Sequence, residues 1–143
     1  VTVASTGARA AIDALGLIMT AGVAAATPAA EAMGEAVARE ARTQLTRTSH
    51  ALGTPTPAPP GEPPAMITGH LAGSLEVSVL GDGVVQVGAT APYARIQELG
   101  GTAGPGYSTE LPSRPYLIPA WEAAATEAYE VALVVIGEAI SGG

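Results

Sequence analysis

Apolar residues at Ile12, Leu15, Met19, Gly22, Val23 and Ala26 recur every three or four positions, the period of one helix face. Ser5 or Thr6 stands ahead of them as a candidate N-cap. Thr27-Pro28 then predicts a break between two helices. Thr27 suits the N-cap of the second, and Pro28 its first position, where a missing N–H is harmless. Met33, Val37, Ala41 and Leu45 give this second helix its apolar line, which runs to about Thr48. Glu31 and Glu35 sit early in it and Arg39, Arg42 and Arg47 late, as the helix dipole favours.

Residues 49–67 break the period. The run from Gly53 to Pro64 is dense in proline, which fixes φ and removes backbone donors, so it is extended. It serves either as a spacer loop or as an arm docked on a neighbouring subunit. Leu75, Val77 and Val79 alternate with Glu76 and Ser78, and Val85, Val87 and Ala89 alternate after Gly81-Asp82-Gly83. Two alternating runs across a glycine-bearing turn predict a β-hairpin. A short helix or turn comes next from Tyr93 to Leu99, and the glycine-rich stretch 100–109 is expected to be a loop. The last helix begins at Pro119 or Ala120. Trp121, Ala124, Ala125, Ala128, Ala132, Val135, Ile136 and Ala139 share its stripe. From Val131 through Val134 to Ile136 it is apolar all round, which calls for cover on more than one side.

The expected fold is α+β in a single domain, residues 1–143: two N-terminal helices (1–48), a proline-rich loop or arm (49–67), an antiparallel hairpin or small sheet with its loops (68–118), and a C-terminal helix (119–141) packed on one face of the sheet. Composition adds that the chain is short of cover. Apolar residues make up 48% and charged residues 13%, well below the roughly 25–35% of a typical free surface. Much of the apolar fraction is alanine, with no Phe and one Trp, so the core depends on close backbone approach.

The net charge of −7, with arginine as the only basic residue type besides two histidines, argues against a phosphate-gripping surface. The absence of cysteine removes disulfides, thiolate catalysis and cysteine-ligated metals. Arg9 followed by the apolar run Ala14–Ala26 has the outline of a targeting segment. Asp13 interrupts it, and the run is short of the roughly 20 residues of a membrane span, so a buried helix is expected and no membrane partner. Enzyme motifs are lacking: no Walker lysine, no His-Glu-x-x-His, no Gly-x-Ser-x-Gly. His50 and His70 flank Pro/Gly-rich sequence without a second ligand at metal spacing. No catalytic, cofactor or metal site is expected, and the chain is read as a non-enzyme.

Three patches in the second half carry a resemblance. The first holds Thr68, Gly69, Leu71 and Ser74, with Pro64 upstream. The second holds Val87-Gly88 and then Tyr93, Ala94, Glu98 and Gly100, with Leu99 in place of an aromatic and Gly101 displacing Thr102. The third holds Pro112, Arg114, Pro115, Tyr116, Leu117, Pro119 and Ala120. In this order, after a helical first half, they resemble the tail-completion or neck family of long-tailed bacteriophages, which includes proteins of the minor tail protein Z type.

That resemblance implies a virion structural protein at the head–tail junction, made in the bacterial cytoplasm, which completes the tail or joins it to the head connector. Its partners would be copies of itself in a sixfold or twelvefold ring, the connector or stopper, and the tail tube or terminator, with DNA passing unread through the bore. Candidate interface residues are Tyr93, Glu98, Arg114, Pro115, Tyr116, Trp121, Val131 and Val134. Arg114 suits a bidentate pair with a carboxylate, Glu98 being the candidate. A tail terminator capping the tube is the nearest alternative. A small-ligand or enzymatic domain is a more distant one, marked by a pocket joining His70 or Glu98 to a second titratable group.

Overall fold

In the computed structural model, which describes residues 2–53 and 57–142 and only the backbone of residues 2–6, one long helix organises everything else. This helix, α1 (Thr2–Thr46), runs unbroken through Pro28. The predicted pair of helices is therefore a single helix, and Ser5 and Thr6 lie within it rather than at a cap. Pro28 is exposed, so its ring points to solvent, while Ala25 and Ala29 on either side of it are buried. Packing on both flanks offsets the roughly 3 kcal/mol that a proline costs in a helix interior. Thr27 caps nothing; its Oγ1 accepts the N–H of Gly83 at 2.9 Å and ties the hairpin tip to the helix.

The C-terminal helix α4 (Leu117–Ser141) packs along the second half of α1. Ala120, Ala124, Ala128 and Ala132 form its buried stripe, four apart, and Ala25, Ala29, Ala36, Ala38 and Ala41 are buried along α1. Small side chains let the two backbones approach closely, which is how a chain without Phe builds a core. The Arg39–Glu127 ion pair at 2.6 Å spans the two helices on the surface.

The expected hairpin forms from β1 (Leu75–Gly81) and β2 (Val84–Ala89), with Val77 opposite Val87, Val79 opposite Val85, and a register shift between Val79 and Gly81. It lies on α1 at Gly34. A Cβ there would stand 2.8 Å from Val77 Cγ1 and 3.3 Å from Val85 Cγ2, so the glycine makes room for the sheet. Arg42 Nη2 donates to the Leu75 carbonyl and fixes the start of β1 against the helix.

Between these elements lie two short helices, α2 (His70–Gly73) and α3 (Ala94–Leu99), the latter where the sequence predicts it. The stretch 100–109, expected to be a loop, starts a second hairpin: β3 (Gly101–Ala103) pairs with β4 (Thr109–Leu111) around a 3-10 turn at Pro105–Tyr107. Its glycines take positive φ at 100, 101, 104 and 106, so they bend a two-stranded ribbon rather than dissolve it. A core cluster joins Ala41 and Leu45 of α1, Leu71, Ala72, Leu75, Ala91, Ala94, Tyr116 and Ala120.

Part of the proline-rich stretch, Thr54 to Thr56, lies outside the described residues. The remainder, from Pro57 onward, is strapped to its own chain. Gly61 N–H donates to Ser113 O at 2.9 Å, and Arg114 Nε donates to Ala58 O at 2.7 Å. Nearer α2, Met66 N–H donates to Thr48 O and His50 N–H to Met66 O.

Candidate functional site

The three patches fold into one corner at the root of α4. In the first, Gly69 adopts φ 76 and starts the turn of α2, and Ser74 Oγ bonds the Leu71 carbonyl. Ser74 O in turn receives the Thr90 N–H at 2.9 Å, joining the patch to the end of β2. Leu71 and Ala72 enter the core. In the second patch, Gly100 has φ 71 and a Cβ there would sit 2.8 Å from Ser113 N and 2.9 Å from Leu111 O. Only glycine fits that crossing.

Glu98 and the third patch meet at the first turn of α4. The N–H groups of Tyr116 and Leu117 donate to Glu98 Oε2 at 2.7 and 2.9 Å, and that of Ile118 to Oε1 at 3.1 Å. A helix start leaves its first amides without carbonyl partners, and a carboxylate there satisfies them and opposes the dipole. The helix therefore begins at Leu117 rather than at Pro119 or Ala120. The expected Arg114–Glu98 pair is replaced by this cap and by the Arg114 bond to the strap. Tyr116 is 1% exposed, and its hydroxyl pKa rises from 10.0 to about 12, through burial first and then the nearby Glu98 charge and Tyr93.

The candidate interface residues thus divide. Glu98, Arg114 and Tyr116 are engaged within the chain. Pro115 and Val131 are half-buried. Tyr93, Trp121 and Val134 keep open surface, with the Trp121 ring edge-on to Tyr129 at 6.5 Å. His70 makes a tilted ring contact with Tyr93, 6.1 Å between centroids, and both line a cavity of about 250 Å³ beside Met66 and Leu71. No group of three His, Asp or Glu side chains able to hold a metal occurs among the described residues.

Two apolar features are more open than the sequence suggests. The first is a groove of about 530 Å³ lined by Met33 and Val37 of α1, Val85 and Val87 of β2, and Ile118 and Trp121 of α4. No charged side chain lines it. Tyr129, Leu133 and Val134 continue apolar surface along α4, Leu133 at 69% exposure, so within Val131–Ile136 these two residues, Leu133 and Val134, lack the cover the sequence calls for. The second is the first half of α1. Residues 7–20 are all exposed, Met19 at 71%. The expectation that Ala14–Ala26 is a buried helix fails here: α4 covers the later turns of α1, and the earlier ones extend past the body.

Residues 8–132 match the family model described as the phage virion morphogenesis family. No curated protein and no solved structure matches the chain.

Proposed function

The chain belongs to the phage virion morphogenesis family, and we propose that, within this virion-assembly role, it forms a ring at the head–tail junction of a long-tailed phage. The ring completes the tail or joins it to the head connector, and DNA passes through the bore. The work of this chain is assembly rather than catalysis.

The observation that carries this reading is uncovered apolar surface on an otherwise well-packed body. Ile12, Leu15, Leu17 and Met19 on α1 and Tyr129, Leu133 and Val134 on α4 all lie open. Patches of this kind on a single chain mark protein contacts. The acidic balance of −7 supports a bore that does not hold DNA. Two of the three clustered arginines are also occupied, Arg39 by Glu127 and Arg42 by the Leu75 carbonyl.

The test is the mass of the purified protein in solution, alone and with tail tubes or connector particles. A ring, or a monomer that becomes a ring only on those particles, bears the reading out. A stable monomer that ignores both overturns it.

A further inference from the structure

We propose that the projecting first half of α1 of one copy docks in the apolar groove of the next, so that subunits join head to tail. This rests on the ring reading and names the surfaces that build the ring.

The arm is residues 7–23, about 26 Å of helix at 1.5 Å per residue. Ile12, Leu15, Leu17, Ile18, Met19 and Val23 are its large exposed side chains. A helix with so apolar a surface needs a partner. It cannot fold back onto its own groove, because α1 is continuous through Pro28 and the turns around Ala25 and Ala29 are already buried. Cover must come from another molecule.

The groove answers the arm in chemistry. From Ala14 to Ala30 the chain carries no charge, and the groove lining carries none. Val85, Val87, Ile118 and Trp121 make a concave apolar floor, and the exposed face of α4 beyond them prolongs the track. A helix of this length half-covered gives up roughly 500 Å². With a matching area on the groove, each contact buries roughly 1,000 Å² over its two partners, at the floor for a specific interface, and in a ring every copy makes two such contacts. Because arm and groove are different surfaces, the contact passes head to tail from copy to copy, and it forms a ring where the rotation between copies closes.

Lipid is the competing cover. By length and composition α1 passes as a membrane span. Its free part, however, holds Arg9 and Asp13, and an apolar span of about 20 residues counted from Ala14 would take in turns that pack against α4 and the Thr27–Gly83 tie. Arg9 and Asp13 are four apart on one face, so a second copy that covers the opposite half of the arm leaves both charges open.

The test has two parts, and the cysteine-free sequence makes the second clean. In Leu15→Glu/Met19→Glu both changes fall on exposed side chains, so the body folds, as far-ultraviolet circular dichroism and Trp121 emission will verify. This variant is expected to run as a monomer under conditions where wild type forms rings. Next, differently tagged single-cysteine chains, Leu15→Cys or Met19→Cys with Val84→Cys, are mixed and oxidised. Val84 lines the groove and is exposed. Cross-linked arm-to-groove dimers are expected at several times the yield of either chain with itself. Arm cysteines that link only to each other overturn the docking. A glutamate variant that still forms rings also overturns it but leaves the ring reading standing. Wild type that stays monomeric, even on tail particles, sinks both. Monomeric wild type that sediments with phosphatidylglycerol vesicles assigns the arm to lipid instead.

Discussion

The two halves of α1 are built from similar residues and sit in opposite surroundings. Residues 25–45 press an alanine face against the alanine stripe of α4 and accept the hairpin at Gly34. Residues 7–20 carry larger apolar side chains and are exposed throughout. The buried face of the later half is mostly alanine, with Val37 and Leu45 toward its end, whereas the large apolar side chains of the first half are open. Helix pairs that approach closely need small side chains, so the intramolecular core uses alanine. Bulky side chains such as Leu15 and Met19 are suited to filling a groove on something else.

The sharpest way to break this comparison is to place one bulk in each half. Ala128 is 0% exposed between the helices, and Ala128→Leu is expected to destabilise the fold by about 3 kcal/mol through overpacking, seen as a lower urea midpoint. Ala14→Leu, on the open half, is expected to change stability by no more than about 0.5 kcal/mol. Equal effects would mean that both halves are covered in solution.

The root of α4 comes next. Glu98→Ala strands the amides of Tyr116, Leu117 and Ile118, an expected loss of about 2 kcal/mol. Faster hydrogen exchange at those amides, with exchange in the arm unchanged, will separate loss of the cap from general loosening.

The root also titrates. Tyr116 has its hydroxyl pKa raised to about 12 from 10.0, so above pH 10 the unfolded chain releases this proton more readily than the folded one. Its contribution is present in full below pH 10 and is lost as pH rises toward 12. A fall on the order of 1–2 kcal/mol is expected across that window, and Tyr116→Phe should flatten it. Denaturant midpoints measured from pH 9 to 12 will check the slope.

The smallest effect is expected at Arg39→Ala. Its pair with Glu127 is short, but both side chains are more than half exposed, so the loss should be under about 0.5 kcal/mol and should shrink further in high salt. A larger loss would mean that this part of the helix pair is shielded from water by a neighbouring copy.

The legible parts of the sequence were those with strict periods. The alternation on both sides of Gly81-Asp82-Gly83 admits few structures other than a hairpin, and Val37, Ala41 and Leu45 fall on the buried line they predict. The same period could not say that Ile12 and Met19 are open, because an apolar helix face has the same pattern whether or not the body covers it. Pro28 misled because its local cost is plain in sequence, while the packing around Ala25 and Ala29 that offsets it is not. Gly34 left no signal in one sequence, since its reason is Val77, far along the chain. Glu98 and Arg114 stand out as a pair of charges, but the free amides at the first turn of α4 decided where the carboxylate went. Stretch 100–109 looked like a loop because its glycines outweighed the short runs that pair. The family resemblance rested on the three patches, and the residues that carry it are largely those that hold the root of α4 together.

Pro28 has one further consequence. It has no N–H to give to the Ala24 carbonyl, which belongs to an exposed residue. The ladder thus lacks a rung where the open half of α1 meets the packed half. Helices bend most easily at such a point, and a swing of about 10° there moves the Gly7 end by about 5 Å over some 30 Å of helix. The reach of the projection is fixed, while its angle is adjustable. In the ring proposed above, that angle would set the curvature between successive subunits without altering the surfaces that meet.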